Sequence, residues 1–533
     1  MTTVREAVFA VMREHGLTTI FANPGSTEVP MLADFPSDLD FVLALHEGSV
    51  VGMATGWAIG SGQPALVLLH TTAGLGNAVG AIATARDNKV PLVILVGQQD
   101  RRHLASAPFL AGKLDGLAGD YPVWTGTPAR SADLPSMIAR AHHEAVAARG
   151  PAIVIVPMDD WEQPYDDGDR LSSPRVLRIA DGVDESECRQ IADRLARAHD
   201  PVIVAGSGTA DERSWLALSD LAEKLDCQVW QEAFGARPGF PQDSARFAGH
   251  LPSGRAKLRE ALGGHDLVFV VGAPSLRQYG YEPGPLFDPH AEVVVVTDDA
   301  TEAAHSTADL AVVAALAPTL EAVASSIEAR RTERGCGTPR AQESADRWDR
   351  VDESHGMLRA EHVFAALARR LSADTILLEE SPSSRPRLQD MLPARDPLGF
   401  ISAASGGLGF AMPAAIGLRM ACDARPVVAL VGDGSSMYNI QSLWSAQHYR
   451  VGVLFVVLRN GAYGIMDQLA RKKGGRAPWP ALTDIEIEGL ARSLGCASAN
   501  VATHADLTSQ LDELVPTLAD RKEPFVLSVV VSP

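Results

Sequence analysis

"ALVGDGSS", residues Ala429 to Ser436, carries an apolar run onto a single carboxylate, Asp433, held between Gly432 and Gly434. Asp-Gly is a common turn pair because glycine takes φ > 0 at no steric cost, so the pair alone is weak evidence. The residues after it are stronger. A helical stretch is expected over about Tyr438–Tyr449, followed by the apolar run "VGVLFVVL" and then "RNGAYG", Arg459 to Gly464. A helix of about 12 residues rises roughly 18 Å, and a strand of about six residues returns a similar distance. These are the proportions of one βαβ crossover, whose two parallel strands usually lie side by side. Asp433 would then stand opposite Asn460. A carboxylate, an amide oxygen and a nearby backbone carbonyl make a half-filled shell of hard donors, which magnesium completes with water and phosphate oxygens. A hairpin turn at "RNG" competes, but it leaves the helix and the long apolar strand unexplained.

Working outward, similar apolar runs recur: "PALVLLH", "PLVILVG" and "PAIVIVP" early, "PVIVAG", "DLVFVVG" and "EVVVVTD" in the middle. Near-continuous Val/Ile/Leu runs are expected of parallel strands covered on both faces. "MATGWAIGSGQPALVLLHTTAGLGN" (Met53–Asn77) and "AMPAAIGLRMACDARPVVALVGDGSS" (Ala411–Ser436) share an Ala/Gly helix, a loop closing on proline, a strand and a polar residue at its carboxyl end. In this faint repeat His70 and Asp433 are equivalents, at the strand ends where open α/β sheets bind ligands. Polar stretches at Glu162–Pro174 and Ala329–Gly356 read as linkers. The fold class is therefore α/β, three doubly wound parallel-sheet domains: 1–170, 178–330 and 356–533.

The chain has 533 residues, 46% hydrophobic and 21% charged, the balance of a globular protein. A formal charge of −19 disfavours nonspecific binding to nucleic acid or anionic lipid. Five scattered cysteines with no CxxC pair are neither a disulfide framework nor a zinc set, which points to a reducing, cytoplasmic compartment. The N-terminal "MTTVREAVFAVMREHG" reads as an amphipathic helix and not a signal peptide. Ala65–Ala85 lacks Asp, Glu, Lys and Arg over about a membrane span, yet its His70, Asn77 and glycines fit a strand, a turn and a helix.

Gly-Asp-Gly, this spacer and an asparagine resemble the diphosphate-binding motif of thiamine diphosphate (ThDP) enzymes of the pyruvate decarboxylase/acetolactate synthase type. "ANPGSTEVPMLADFP", "LALHEGSVVGMATGWA", "LLHTTAGLGNAVGA", "VPMDDWEQP" and "GGLGFAMPAAIG" resemble, more narrowly, the benzoylformate decarboxylase family. The resemblance covers nearly the whole chain in order and is weakest in the middle. It implies an N-terminal pyrimidine-binding domain, a central domain and a C-terminal diphosphate-binding domain. Magnesium, with calcium as a stand-in, would sit on Asp433, Asn460 and the Ala462 carbonyl. Pro24, Gly25, Ser383, Gly434, Ser435, Tyr463 and Gly464 would lie around the cofactor. Glu47 would hydrogen-bond the aminopyrimidine N1′, Gly406 would accept from its 4′-amino group, and Leu408 would wedge beneath it.

Carried further, the resemblance makes Ser26 and His70 the substrate-binding and proton-handling pair. A second family histidine in the middle domain corresponds to Tyr279, in "GAPSLRQYGYEPG", a departure that weakens the relay because a phenol titrates near pH 10. Phe109, Leu110, Ser402, Ile465, Met466 and Leu469 would line the acyl pocket, with Pro382 beside it. The implied reaction is non-oxidative decarboxylation of a 2-keto acid to an aldehyde and CO2. The alternative is a carboligase or C–C lyase of the same superfamily acting on an acyl-CoA, for which the basic run "ARKKGGR", Ala470–Arg476, could meet phosphate. A nucleotide-binding oxidoreductase is disfavoured by Glu47, Asp433 and Asn460 occurring together. "AGSGTAD" lacks the third glycine of a dinucleotide fingerprint, so FAD is not expected. In this family Glu47 reaches a cofactor held by a neighbouring subunit, which implies a homo-oligomer, a dimer of dimers with shared sites.

Overall fold

The computed structural model describes residues 2–166, 168, 177, 184–330, 340–348 and 357–532. The apolar runs form three six-stranded sheets, and every strand pair within them is parallel. The first contains β1 (Thr19–Asn23), β2 (Asp40–Leu43), β3 (Ala65–Leu69), β4 (Leu92–Gln98), β5 (Trp124–Gly126) and β6 (Pro151–Pro157), in the order 2-1-3-4-6-5. The middle sheet contains β7 (Pro201–Ala205), β8 (Gln228–Gln231), β9 (Phe247–His250), β10 (Leu267–Val271), β11 (Glu292–Thr297) and β12 (Leu310–Val313), in the order 12-11-10-7-8-9. The third contains β13 (Ile376–Glu380), β14 (Phe400–Ser402), β15 (Val427–Gly432), β16 (Leu454–Arg459), β17 (Ala497–Val501) and β18 (Phe525–Val530), in the order 14-13-15-16-18-17.

The outer sheets thus share one topology, and β3 and β15 occupy the same place in it. The middle sheet instead has the doubly wound order that reverses between β7 and β10. Helices cover both faces, so central strands such as β4 and β6 are buried along their whole length.

The outer domains are joined through the two helices of the faint repeat, Glu47–Ser61 and Ala411–Ala421. They run alongside each other in one direction, with Gly52 against Pro413, Gly56 against Ala414 and Gly60 against Ala421. A Cβ at Gly56 would run into the Ala414 carbonyl, and one at Gly417 into the Met53 carbonyl. The small residues are there because the backbones touch. One apolar core continues from the first domain into the third through this contact.

Two expectations change. The second linker contains a helix, Arg340–Arg347, followed by Trp348 packed on the third domain. Charge dominates its composition, which hid it from an apolar reading. The helix expected over about Tyr438–Tyr449 is shorter, Ser442–His448, and a separate turn of helix, Asp433–Ser436, precedes it. The start of the first linker, residues 162–166, packs on the first domain, with Pro164 bridged to Thr3 and Tyr165 in its core. Residues 167, 169–174, 331–339 and 349–356, Cys336 among them, lie outside the described residues, as do the expected boundaries at 170, 178, 356 and 533. Ala65–Ala85 is β3 and the first part of helix Thr71–Asp87, and no helix among the described residues is long and apolar enough to cross a membrane.

Candidate active site

The first half of the site gathers at the carboxyl ends of β1 and β3, where Asn23 pairs in register with Leu69. Glu47 begins the helix Glu47–Ser61 and is 8% exposed. Its carboxylate accepts from the Asn23 side-chain amide at 3.2 Å and from that of Asn77 at 3.1 Å. Two amides therefore fix both oxygens of an acid that the sequence places among nearly uncharged residues.

His70 follows β3 directly, and Thr71 after it holds φ at +39°, a left-handed conformation rare for a β-branched residue. Such strain is kept where surrounding contacts over-determine it. Here they do. The His70 Nδ1 lies 3.0 Å from the Glu28 carboxylate and 3.0 Å from the Thr27 hydroxyl. Thr27 donates its own proton to the other Glu28 oxygen at 2.5 Å, so Nδ1 must be the donor toward Glu28. That fixes the tautomer and leaves Nε2 as the free nitrogen of a half-buried ring. Glu28, 1% exposed, also accepts from the Gly25 N–H at 2.7 Å. A Cβ at Gly25 would enter the His70 ring, which explains a glycine beside exposed Ser26 and half-buried Pro24.

The second half gathers at the carboxyl ends of β15 and β16, neighbours in register with Gly432 opposite Leu458. Asp433, 3% exposed, accepts from the Gly434 N–H at 2.8 Å and from the Gly461 N–H at 2.7 Å. Asn460 Oδ1 accepts from the Ala462 N–H at 2.9 Å. Around them, the Tyr463 ring lies against Gly434, and Ser383 and the Asn460 amide lie against Gly464. Ser435 is buried beside Asp433. Burial pushes the Asp433 carboxyl upward against the pull of its N–H donors, the condition a cation relieves. An all-oxygen donor set around one buried carboxylate suits magnesium. Helix Gly464–Lys472 begins here with no side-chain cap, leaving first-turn N–H groups for a diphosphate. The residues present therefore fit both groups.

Gly406 is exposed with φ +69°, and Leu408 after it is half-buried. Ile465 and Leu469 are half-buried on helix Gly464–Lys472, while Met466 is 44% exposed. Leu110 has φ +65°, Phe109 is 88% exposed, and Tyr279 is 64% exposed, with its backbone N–H donating to Ser253. Ser402 is buried where the domains meet: its hydroxyl accepts from Arg385 at 2.9 Å and donates to the Gly235 carbonyl at 3.4 Å. Pro382 is exposed.

Four supporting residues escaped sequence reading: Glu28, Asn23, Asn77 and Asn439. Asn439 bridges the halves, accepting from Ser49 at 2.9 Å and donating to the Gly409 carbonyl at 2.5 Å. A fifth, Glu380, is buried and takes the N–H groups of Gly409, Phe410 and Ala411 at 2.6–2.7 Å, holding the "GGLGF" loop at the start of its helix. Only Glu28 left a signal, an acid inside the uncharged run "ANPGSTEVP".

Family profiles match all three domains: "Thiamine pyrophosphate enzyme, N-terminal TPP binding domain" over residues 2–117, the central domain over 188–323 and the C-terminal TPP binding domain over 384–529. The chain is 37% identical to the benzoylformate decarboxylase of Pseudomonas aeruginosa, over 99% of each chain. It superposes on the ThDP-dependent 4-hydroxybenzoylformate decarboxylase of Rhodococcus jostii RHA1 with a TM-score of 0.93 at 32% identity, covering 100% of this chain and 99% of that one. The benzoylformate decarboxylase of Polynucleobacter necessarius superposes equally, with a TM-score of 0.93, 32% identity and the same coverage. Helix contacts, strand-end carboxylates and sequence agree, and the chain belongs to the thiamine diphosphate-dependent enzymes.

Proposed function

We propose that the protein is a ThDP- and Mg2+-dependent decarboxylase that converts an aryl 2-keto acid of the benzoylformate kind to an aldehyde and CO2. The observation that carries this reading is that one strand-end crevice holds both Glu47, fixed by two amides, and the His70–Glu28 pair with Nε2 free. When bound, ThDP supplies the electron sink that decarboxylation requires. Asp433, Asn460 and the Ala462 carbonyl would hold the metal, and Glu47 would share a proton with the pyrimidine. Ser26 would orient the substrate carboxylate. His70 Nε2 would deliver a proton at the reacting carbon or its oxygen, while Glu28 stabilises the imidazolium that forms when Nε2 takes one up. Phe109, Ile465, Met466, Leu469 and Ser402 are the proposed surroundings of the acyl group, with Tyr279 closing them.

We also propose that the active site is completed by a second copy of the chain. The chain's own "GGLGF" loop meets Thr84, where Ser405 and Gly407 touch it, and not Asn77. Seven residues of helix separate those contacts, about 10 Å. Phe109, Tyr279, Tyr438 and Met466 meanwhile stand exposed for a partner to cover. A homodimer, or a dimer of dimers, in the cytoplasm is the expected form.

The test is turnover by purified protein loaded with ThDP and Mg2+, given 2-keto acids and 2-hydroxyacyl-CoA thioesters, with products identified by mass spectrometry. Benzaldehyde and CO2 from benzoylformate are expected. Cleavage of the thioesters with no decarboxylation of any keto acid would overturn the reading in favour of a lyase.

A further inference from the structure

The "GGLGF" loop is held by a carboxylate that belongs to another strand. Glu380 ends β13 opposite Val431 of β15, and Asp433 follows in that neighbouring strand's turn. Glu380 is 5% exposed, and no cation pairs with it among the described residues, whereas its buried neighbour Glu379 has Arg385 at 3.4 Å. Three N–H groups take the place of a cation. Gly409 donates to one oxygen at 2.6 Å, and Phe410 and Ala411 donate to the other at 2.7 Å.

Starting the helix Ala411–Ala421 does not require this. A serine or aspartate at the N-cap would serve without a buried charge brought from a distant strand, yet the N-cap is Phe410. What the carboxylate adds is its hold on Gly409, outside the helix. The Gly409 N–H belongs to the peptide that follows Leu408, and the Gly409 carbonyl accepts from the Asn439 amide at 2.5 Å. Gly409 has φ +91°, and a Cβ there would lie 2.7 Å from that amide, so the chain is fixed on both sides of it. The backbone of Leu408 is thereby tied to the ends of β13 and β15, and through them to Asp433.

We propose, resting on the cofactor placement above, that Glu380 is a positioning residue: it sets the separation between the metal end of the site, at Asp433, and the ring end, at Gly406 and Leu408. Two carboxylate oxygens and three donors hold the loop in place before ThDP arrives, so binding does not have to order it. Glutamine is no substitute, because its single oxygen leaves the other side of the fork to an NH2 group facing N–H donors.

The experiment is calorimetric titration of the ThDP-free full chain in saturating Mg2+, with ThDP and separately with inorganic pyrophosphate. It is run at pH 8, above the value of about 7 to which burial pushes the Glu380 carboxyl, so that the acid is ionised. Pyrophosphate reads the metal end alone, and ThDP reads both ends. Glu380→Gln should weaken ThDP by about tenfold or more and leave pyrophosphate within about twofold. Glu380→Asp, which keeps the charge on a shorter stem, should fall between Glu380→Gln and the wild type. Equal losses for the two ligands, or no loss for either, would make Glu380 a residue of the fold alone and overturn the proposal. Failure of the wild type to bind pyrophosphate would instead overturn the cofactor placement, and the proposal with it. Should the variants not fold, hydrogen exchange in the wild type decides: the amides of Gly409, Phe410 and Ala411 should be protected before ThDP is added, and rapid exchange there overturns the proposal.

Discussion

The first and third domains use one sheet topology and place a polar residue after the same strand, His70 after β3 and Asp433 after β15. They differ in how that residue is satisfied. His70 and Glu47 are held by side chains: Glu28, Thr27, Asn23 and Asn77. Asp433 and Glu380 are held by backbone N–H groups, those of Gly434 and Gly461 for the first and of Gly409 to Ala411 for the second. The difference has a chemical meaning. Glu28 and the Thr27 hydroxyl can share a proton with His70, which suits an end of the site where protons move, while the Asn23 and Asn77 amides only orient Glu47. Backbone N–H groups cannot leave or titrate, and they hold carboxylate oxygens in fixed directions for a metal.

The contrast breaks most sharply at Asp433. Asp433→Ala removes the only charged donor of the oxygen set, so it should cost more than the roughly 10–100-fold in metal affinity typical of an outer-shell partner, and ThDP retention should fall with it. Titration of magnesium-stripped protein with Mg2+ and ThDP measures this. Wild-type affinity in the variant would mean that the third domain does not hold the diphosphate through a metal there.

At the other end, His70→Ala should leave ThDP binding intact and lower turnover by about 10²–10⁴-fold, the range of a general acid–base group. Glu28→Gln should cost less, because the ring keeps a hydrogen-bond acceptor at Nδ1, and it should lower kcat with little change in KM, as expected of a residue that orients His70. A rise in KM with kcat unchanged would make Glu28 a packing residue and remove the distinction between the two domains.

The third domain was the more legible of the two for the same physical reason. Its partners are backbone groups next to the motif, so βαβ lengths sufficed to set Asp433 beside Asn460, and the Gly461 N–H on Asp433 is the direct sign of it. The partners in the first domain come from separate elements: Asn23 ends β1, Asn77 lies in the helix after β3, and Glu28 follows a turn. No local spacing encodes that convergence, and only Glu28 stood out, by its charge. Phe109 and Tyr279 are exposed in the single chain, and on the proposed reading a second copy would bring them to the substrate. The helix Arg340–Arg347 was hidden because charge dominates its composition.

The smallest expected effect concerns a group in the first domain that lacks the side-chain partner its neighbours enjoy. His142, on helix Leu134–Ala148, has a buried Nδ1 with no hydrogen bond, and its ring lies 4.8 Å from that of His15 and 5.4 Å from that of His143. Burial, reinforced by the two neighbouring histidines, lowers its pKa from 6.5 to about 4. The folded state therefore keeps it neutral where the unfolded chain would take up a proton. Its contribution to stability is complete above pH 6.5 and is lost as the pH falls toward 4, with a slope of at most about 1.4 kcal/mol per pH unit for one proton. Half-buried His250 in the middle domain, lowered to about 3, acts in the same direction, so the informative quantity is a difference. Urea midpoints should fall between pH 7 and pH 5 in the wild type and fall less in His142→Gln, which cannot be protonated there. An equal fall in both proteins would show that His142 already has a partner serving it as Glu28 serves His70.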